Sequence, residues 1–260
     1  VNRRRVLIGC VAFLILCLIA PWAAPYNPLQ EVGEALAPPS ADHLLGVDWI
    51  GRDILSRVLH GGARTLIIGV LALFAAILPG ILIGVSAGWY GGWWDWLVVK
   101  GLNAFLAVPG LLLALVILTL VGSGAGQVAF AAGIAQFPMA AQISRAAGRS
   151  ARSFPFVEAA RGIGVTERGI LIHHVLPNLA RTLIGISVVS LSWTILSASV
   201  LHFLGFGGDP AIPEWGAMLA EARQVYRIAP HVALSPGIAI TILLLVVNIL
   251  AEYITHPSKA

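Results

Sequence analysis

Charge is scarce in this chain. Only 11% of its 260 residues are Asp, Glu, Lys or Arg, against roughly 25% in soluble domains, while 58% are hydrophobic. That balance excludes an ordinary soluble domain and reads as a membrane protein. Lysine is almost absent. Lys100 and Lys259 are the two copies, neither lies in a glycine-rich loop, and no GxxxxGK[ST] occurs, which excludes a nucleotide-binding P-loop. HExxH and GxSxG are missing too, and the adjacent pair His173 and His174 points to different sides of a helix, so neither a metal site nor a catalytic centre is expected. Cys10 and Cys17 have no further cysteine to complete a site and read as small apolar residues of a membrane segment. Acids are missing from the middle of every apolar run, which argues against a proton-coupled carrier.

What is present is a series of apolar runs, at residues 6–24, 66–88, 97–121, 127–143, 183–203 and 231–253, each long enough to cross a bilayer as a helix at about 1.5 Å per residue. The expected fold class is all-α, a polytopic membrane protein with six transmembrane helices. The first run follows three arginines and lacks a clean cleavage site, so it is read as a retained anchor and not a signal peptide. Pro79-Gly80 and Pro109-Gly110 predict breaks within the second and third runs, and the fourth, with Gln127, Gln136 and Pro138, is the least hydrophobic. Trp89, Tyr90, Trp93, Trp94 and Trp96 form an aromatic belt at a membrane interface.

Between the first two runs the chain is proline-rich and then amphipathic. Ile50, Ile54, Val58 and Leu59 fall on one side of a helix, with Arg52, Asp53, Ser56 and Arg57 toward another, which predicts a helix lying at the membrane surface. The expected organisation is an anchor over residues 1–25, an extracytoplasmic loop over 26–63, and a core over 64–260 that includes an inner loop at 145–180.

Six spans place both ends on one side. The N-terminus, Lys100, residues 145–181 and Lys259 carry eleven Lys or Arg, whereas the two opposite loops carry five and hold eight of the twelve acids. Positive charge marks the cytoplasmic side, so residues 145–180 and both termini are expected there. The net charge of +4 is thus a matter of topology, and no continuous basic face suggests nucleic acid.

Within that inner loop, EAARGIGVTERGILIHHVLPN (158–178) carries helix signals of its own. Ser153 and Pro155 read as cap and first turn of a short helix that breaks near Gly162 to Gly164. Thr166 caps a second helix, Glu167 sits at its positive end, Pro177 ends it, and Glu158 is spaced to pair with Arg161. The result is a compact knob. In the fifth span, Ser187, Ser190, Thr194 and Ser197 share one face. Small hydroxyls there either support close helix packing or line a hydrated passage.

These residues carry a resemblance. Glu158-Ala159-Ala160, Gly164 and Leu176-Pro177 resemble the EAA loop, through which permease subunits of binding-protein-dependent ABC importers couple to their ATPases. LGVDWIGRDILSRVLHGGARTL (45–66), AGWYGGWWD (87–95), FLGFGGDPAIPEWGAMLAEAR (203–223) and APHVALSPGIAI (229–240) are similar to the dipeptide/oligopeptide/nickel permease family, DppC/OppC type. The resemblance implies a type I ABC importer permease fold in the bacterial cytoplasmic (inner) membrane. It implies a homologous permease subunit, two ABC ATPases and an extracytoplasmic substrate-binding protein as partners, with ATP and Mg bound by the ATPases and no cofactor in this chain. Glu158, Ala159, Ala160, Arg161, Gly164, Leu176 and Pro177 would be the coupling residues, and Asp209, Glu214, Trp215 and Glu221 the contacts for the binding protein. Peptides are the expected substrate, with nickel complexes and haem as alternatives within the family and a non-transporting membrane scaffold outside it. Lys100 and Asn103 stand where the family commonly has Arg and Asp, which removes an ion pair, and the tail after the last span is short.

Overall fold

A computed structural model describes residues 3–255, so Lys259 and the tail beyond Thr255 lie outside the described residues. Among the described residues the architecture is helical, with two isolated β-bridges, Glu31 to Arg52 and Val47 to Asp53, pinning the loop after the first helix. The elements are α1 (Arg3–Ile19), α2 (Ile54–Tyr90), α3 (Gly92–Leu106), α4 (Gly110–Val121), α5 (Ala125–Ala151), α6 (Pro155–Gly162), α7 (Glu167–Gly169), α8 (Leu176–Phe203), α9 (Trp215–Ala222) and α10 (Pro230–Thr255). Among the described residues four helices are long and apolar enough to cross a membrane, five if α3 and α4 count as one bent span. The remaining expected span is α5. At 27 residues it is long enough, but Gln127, Gln136, Gln142 and Arg145 dilute its apolar face, and it sits against α2, α4 and α8.

The predicted surface helix does not form as expected. Residues 44–53 are turn and bridge, and the helix that starts at Ile54 continues without interruption through the second apolar run to Tyr90, 37 residues in all. Asp53 caps it, accepting from the Ser56 amide at 2.8 Å and the Ser56 hydroxyl at 2.7 Å. The side chains expected on the polar side of that helix, Arg52, Asp53, Ser56 and Arg57, are all buried, the two arginines because Asp48 and Glu221 receive them and Asp53 and Ser56 because they bond each other in the cap.

Pro79 does not break α2 either. A proline removes one backbone donor, yet α5 lies so close that the helix is held on both sides of that gap. Glycines on both helices allow the approach. A Cβ on Gly80 would come within 2.9 Å of the Ala140 Cβ, and one on Gly148 within 2.7 Å of the Val85 carbonyl. In the third run the break is real, since α3 and α4 meet at 87°. Asp95 in the first turn of α3 pairs with Arg145 of α5 and ties the N-terminal end of that bent pair to α5. Asn103 accepts only a long 3.5 Å contact from Gln142, and Lys100 is exposed.

Helix α1 stands at the periphery against α2 and α10, with Ile8, Val11, Ile15, Leu16 and Leu18 facing outward. An all-round apolar helix with so little cover suits a lipid surrounding.

Candidate functional site

The knob is built as two short helical pieces seated on the C-terminal ends of α2 and α5. Phe154 occupies the cap position of α6 with Pro155 following it, whereas Ser153, the expected cap, turns back to donate to the Ser150 carbonyl at 2.9 Å. At the other end of α6, Gly164 has φ of +82°, its amide donates to the Arg161 carbonyl at 3.0 Å, and the Val165 amide donates to the Ala160 carbonyl at 3.1 Å. That is a Schellman closure, which requires a residue at ease in the left-handed region. Among the described residues, nothing beyond its chain neighbours lies within 4 Å of where a Gly164 Cβ would be, so backbone conformation alone demands glycine there.

Thr166 caps the next turn, accepting from the Gly169 amide at 3.2 Å. Pro177 does not end this segment. Helical structure runs on from α7 into α8 through a wider π-helical stretch, Ile170–Val175, and Pro177 lies in the first turn of α8. The Leu176 amide reaches back five residues to Leu171, and the Asn178 side chain donates to the His174 carbonyl at 2.6 Å. The π stretch thereby accommodates the missing proline donor without a break.

Alternation of cover divides the knob into a seat and a face. Val157, Ala160, Ile170 and Val175 are buried with Val85, Trp89 and Ala151 of α2 and α5, and the larger of these side chains contribute roughly 1.5 to 3 kcal/mol each to the seat. Glu158, Ala159, Gly162, Ile163 and Gly164 face outward, and Ile163 is 82% exposed. Of the expected coupling residues, Ala160 thus belongs to the seat, Leu176 is half-buried, and Pro177 is exposed one helical segment away. Arg161 pairs with Glu167 at 2.7 Å and not with Glu158, and its guanidinium lies over the Trp89 ring, 5.6 Å from the centroid. Bonding to the Glu167 carboxylate, with Glu158 nearby, holds the Arg161 guanidinium above its ordinary range.

A cavity of about 350 Å³ opens between α5, α8 and the end of α10. Gln136, Arg181, Thr182, Ser190 and Thr255 supply its polar groups, and Met139, Ile186, Val189 and Trp193 part of its apolar wall. Of the hydroxyl stripe, Ser190 alone lines this space. Thr194 is buried and donates to the Gly69 carbonyl of α2 at 3.0 Å, Ser187 bonds back to Leu183 at 2.8 Å, and Ser197 accepts from Gln136 at 3.2 Å. The stripe is thus divided between packing and cavity. Gln136, noted in the sequence only as a polar residue in a weak span, joins the cavity to the Ser197 hydroxyl.

At the opposite end, α9 is held by buried polar contacts. Glu214 caps it, accepting from the Ala217 amide at 2.9 Å, and also accepts from the Thr65 hydroxyl at 2.8 Å. The Trp215 indole donates to the Val58 carbonyl at 2.9 Å. Glu214 and Trp215 are 2% and 4% exposed, which leaves them no surface for a docking protein, whereas Asp209 is exposed. Glu221 is turned inward, accepting from Arg52 and Arg57, each at 2.9 Å, and Asp48 accepts from Arg52 at 2.6 Å. Helical spacing predicts these two arginines on the polar side of a surface helix. Their partner lies 164 residues from Arg57, and no local spacing signals it.

Residues 80–256 match the family described as binding-protein-dependent transport system inner membrane component. The glutathione transport system permease protein GsiD of Escherichia coli O6:K15:H31 is 38% identical over 244 residues, covering 93% of this chain and 80% of that protein. GsiD of Shigella boydii serotype 4 gives the same figures. Among solved structures, a chain of the MetNI methionine ABC transporter in an inward-facing conformation superposes with a TM-score of 0.64 over 76% of this chain and 94% of that one, at 18% identity, a likeness of fold.

Proposed function

The chain belongs to the family of binding-protein-dependent transport system inner membrane components, and from that premise we propose that it forms, with a homologous permease subunit, the path by which peptides enter the cytoplasm. ATP would be hydrolysed on two associated ATPase subunits that dock on the knob, and a substrate-binding protein would deliver cargo at the opposite face. The chain itself would hold no cofactor and catalyse no reaction. Helix α5 is taken as the sixth span, with both termini and the knob cytoplasmic, as the arginine distribution supports.

The observation that carries this reading is the knob's division into a buried seat and a bare face. Ala159 and Gly162 keep that face low, Ile163 offers an apolar point, and Glu158 a charge beside it. Such a face suits insertion into a groove of a partner, and the seat transfers force to the spans. Closure of the ATPase dimer on ATP would move the knob as a body, turn the spans outward to accept cargo, and hydrolysis would return them. Peptide cargo is supported by the relationship to a permease for glutathione, itself a short peptide. The cavity by Gln136, Thr182 and Ser190 would suit such cargo, because amides and hydroxyls both donate and accept.

The test is reconstitution with the sister permease, the ATPases and the loaded binding protein in proteoliposomes. Glu158→Lys and Gly164→Pro should insert normally yet lose peptide uptake and the stimulation of ATP hydrolysis by the binding protein. Undiminished uptake by either variant would refute the assignment of the knob.

A further inference from the structure

Two features of α2 have no part in the proposed path. At its inner end Trp89 is 1% exposed with no hydrogen-bond partner for its indole nitrogen among the described residues, so the ring acts there through its faces. Arg161 of the knob covers one of those faces, oriented by Glu167. At its outer end α2 is joined to α9 three times over. Arg57 reaches Glu221 at the C-terminal turn of α9, Thr65 bonds the capping carboxylate Glu214, and the Val58 carbonyl accepts from Trp215. Between these ends lies one continuous helix of 37 residues, about 55 Å at 1.5 Å per residue. Its weak point, Pro79, is splinted by the close approach of α5 at Gly80 and Gly84, and α5 itself leads into the knob.

We propose that α2 is a connecting rod, engaged at its inner end by Arg161 stacked on Trp89 and at its outer end by the Arg57–Glu221 and Thr65–Glu214 contacts, that carries displacement of the knob directly to α9. Arg161 is on this account a positioning residue. The exposed Arg161–Glu167 pair adds little to stability, and its consequence is to hold the guanidinium against the ring. The inference rests on the knob being the ATPase-docking element. A displacement applied to the knob has three routes outward, along the chain into α8, back along the chain into α5, and through Trp89 and Val85 into α2, and α9 is bonded to α2 through buried side chains while it also packs on α8 and α10. If α2 carries the displacement, the movement of α9 depends on the Arg161–Trp89 contact even when α5 and α8 are intact.

The experiment uses the complete importer in nanodiscs. An environment-sensitive fluorophore is attached at Gln224→Cys, an exposed position two residues past α9, in a chain where Cys10 and Cys17 are replaced by Ala. With the native Arg161 and Trp89, trapping the ATPases with ATP and vanadate should change the fluorescence. Trp89→Leu should retain the ATPases and their hydrolysis but lose about fivefold or more of that change and of peptide carried per ATP, whereas Trp89→Phe, which keeps a ring face, should recover most of both. Arg161→Gln should lose the change as well, and Arg161→Lys, which keeps a cation over the ring, should recover it. A full response in an assembled Trp89→Leu or Arg161→Gln importer overturns the rod. An importer with the native residues whose hydrolysis is not stimulated by the loaded binding protein instead overturns the underlying functional reading.

Discussion

Replacing Glu221 with Gln removes one charge from a closed set of four. Asp48 and Glu221 balance Arg52 and Arg57, and three of the four side chains are no more than 3% exposed, Glu221 being 14% exposed. Without the carboxylate, Arg52 keeps Asp48 at 2.6 Å, but Arg57 is left with Asp48 at 3.5 Å and the carbonyls of Pro28 and Ala211 at 3.4 and 3.3 Å. Removing one partner of a buried pair costs about 3 to 5 kcal/mol, and the lower value applies here because Glu221 is partly exposed and Asp48 stays. For a chain of this size about 3 kcal/mol lowers the melting temperature by roughly 6 to 12 °C. Thermal unfolding of the purified chain in nanodiscs, followed by tryptophan fluorescence, reads that shift. Raising salt from 0.05 to 0.5 M should change it little, since burial keeps the cluster from screening. Glu221→Met combined with Arg57→Met should melt well above the sum of the single losses, because both charges leave together. A Glu221→Gln protein that melts within about 2 °C of the parent would refute the reasoning, for the pair would then contribute no more than a surface bridge.

Three further outcomes follow from the packing and the charge pattern. Gly84→Val would place a Cβ 2.9 Å from that of Ser144 and closer still to the Ala141 carbonyl, so the yield of folded protein should fall sharply, with a loss of about 3 kcal/mol or more. Gly101→Ala, with nothing within 4 Å, should instead stabilise α3 by roughly 0.5 to 1 kcal/mol in the same melting assay. Sidedness is read by a membrane-impermeant maleimide on intact spheroplasts. Cysteine at exposed Leu29 should react at once and cysteine at Ile163 only after permeabilisation, and the reverse pattern would invert the topology.

Much of the knob was legible because its determinants are local. Thr166 as a cap, Pro155 in a first turn and a glycine closure near Gly164 each depend on bonds spanning three to five residues. Where the reading of the knob erred, interactions reaching beyond a span of five residues decided. Arg161 turned from Glu158 to Glu167 because Trp89 lies beneath it, and Pro177 was accommodated by a π-helical stretch that begins seven residues earlier. Along the fifth run, helical spacing correctly put four hydroxyls on one side. That side, however, meets α2 at Thr194 and open space at Ser190, which spacing alone cannot distinguish.

By itself the sequence determined that this chain is helical, that it enters the membrane, and that its arginine-rich loop makes a knob. Those outcomes follow from apolar run length, charge placement and short-range backbone bonding, all properties of contiguous residues. Only the tertiary structure decided that Arg52 and Arg57 are buried, that Glu214 and Trp215 hold α9 through buried contacts, and that one helix, α2, joins those contacts to the knob's seat. The partners concerned are brought together from sites such as Arg57 and Glu221, 164 residues apart. A buried charge is tolerated only where such a distant partner arrives in the right geometry, and that is a property of the folded chain as a whole.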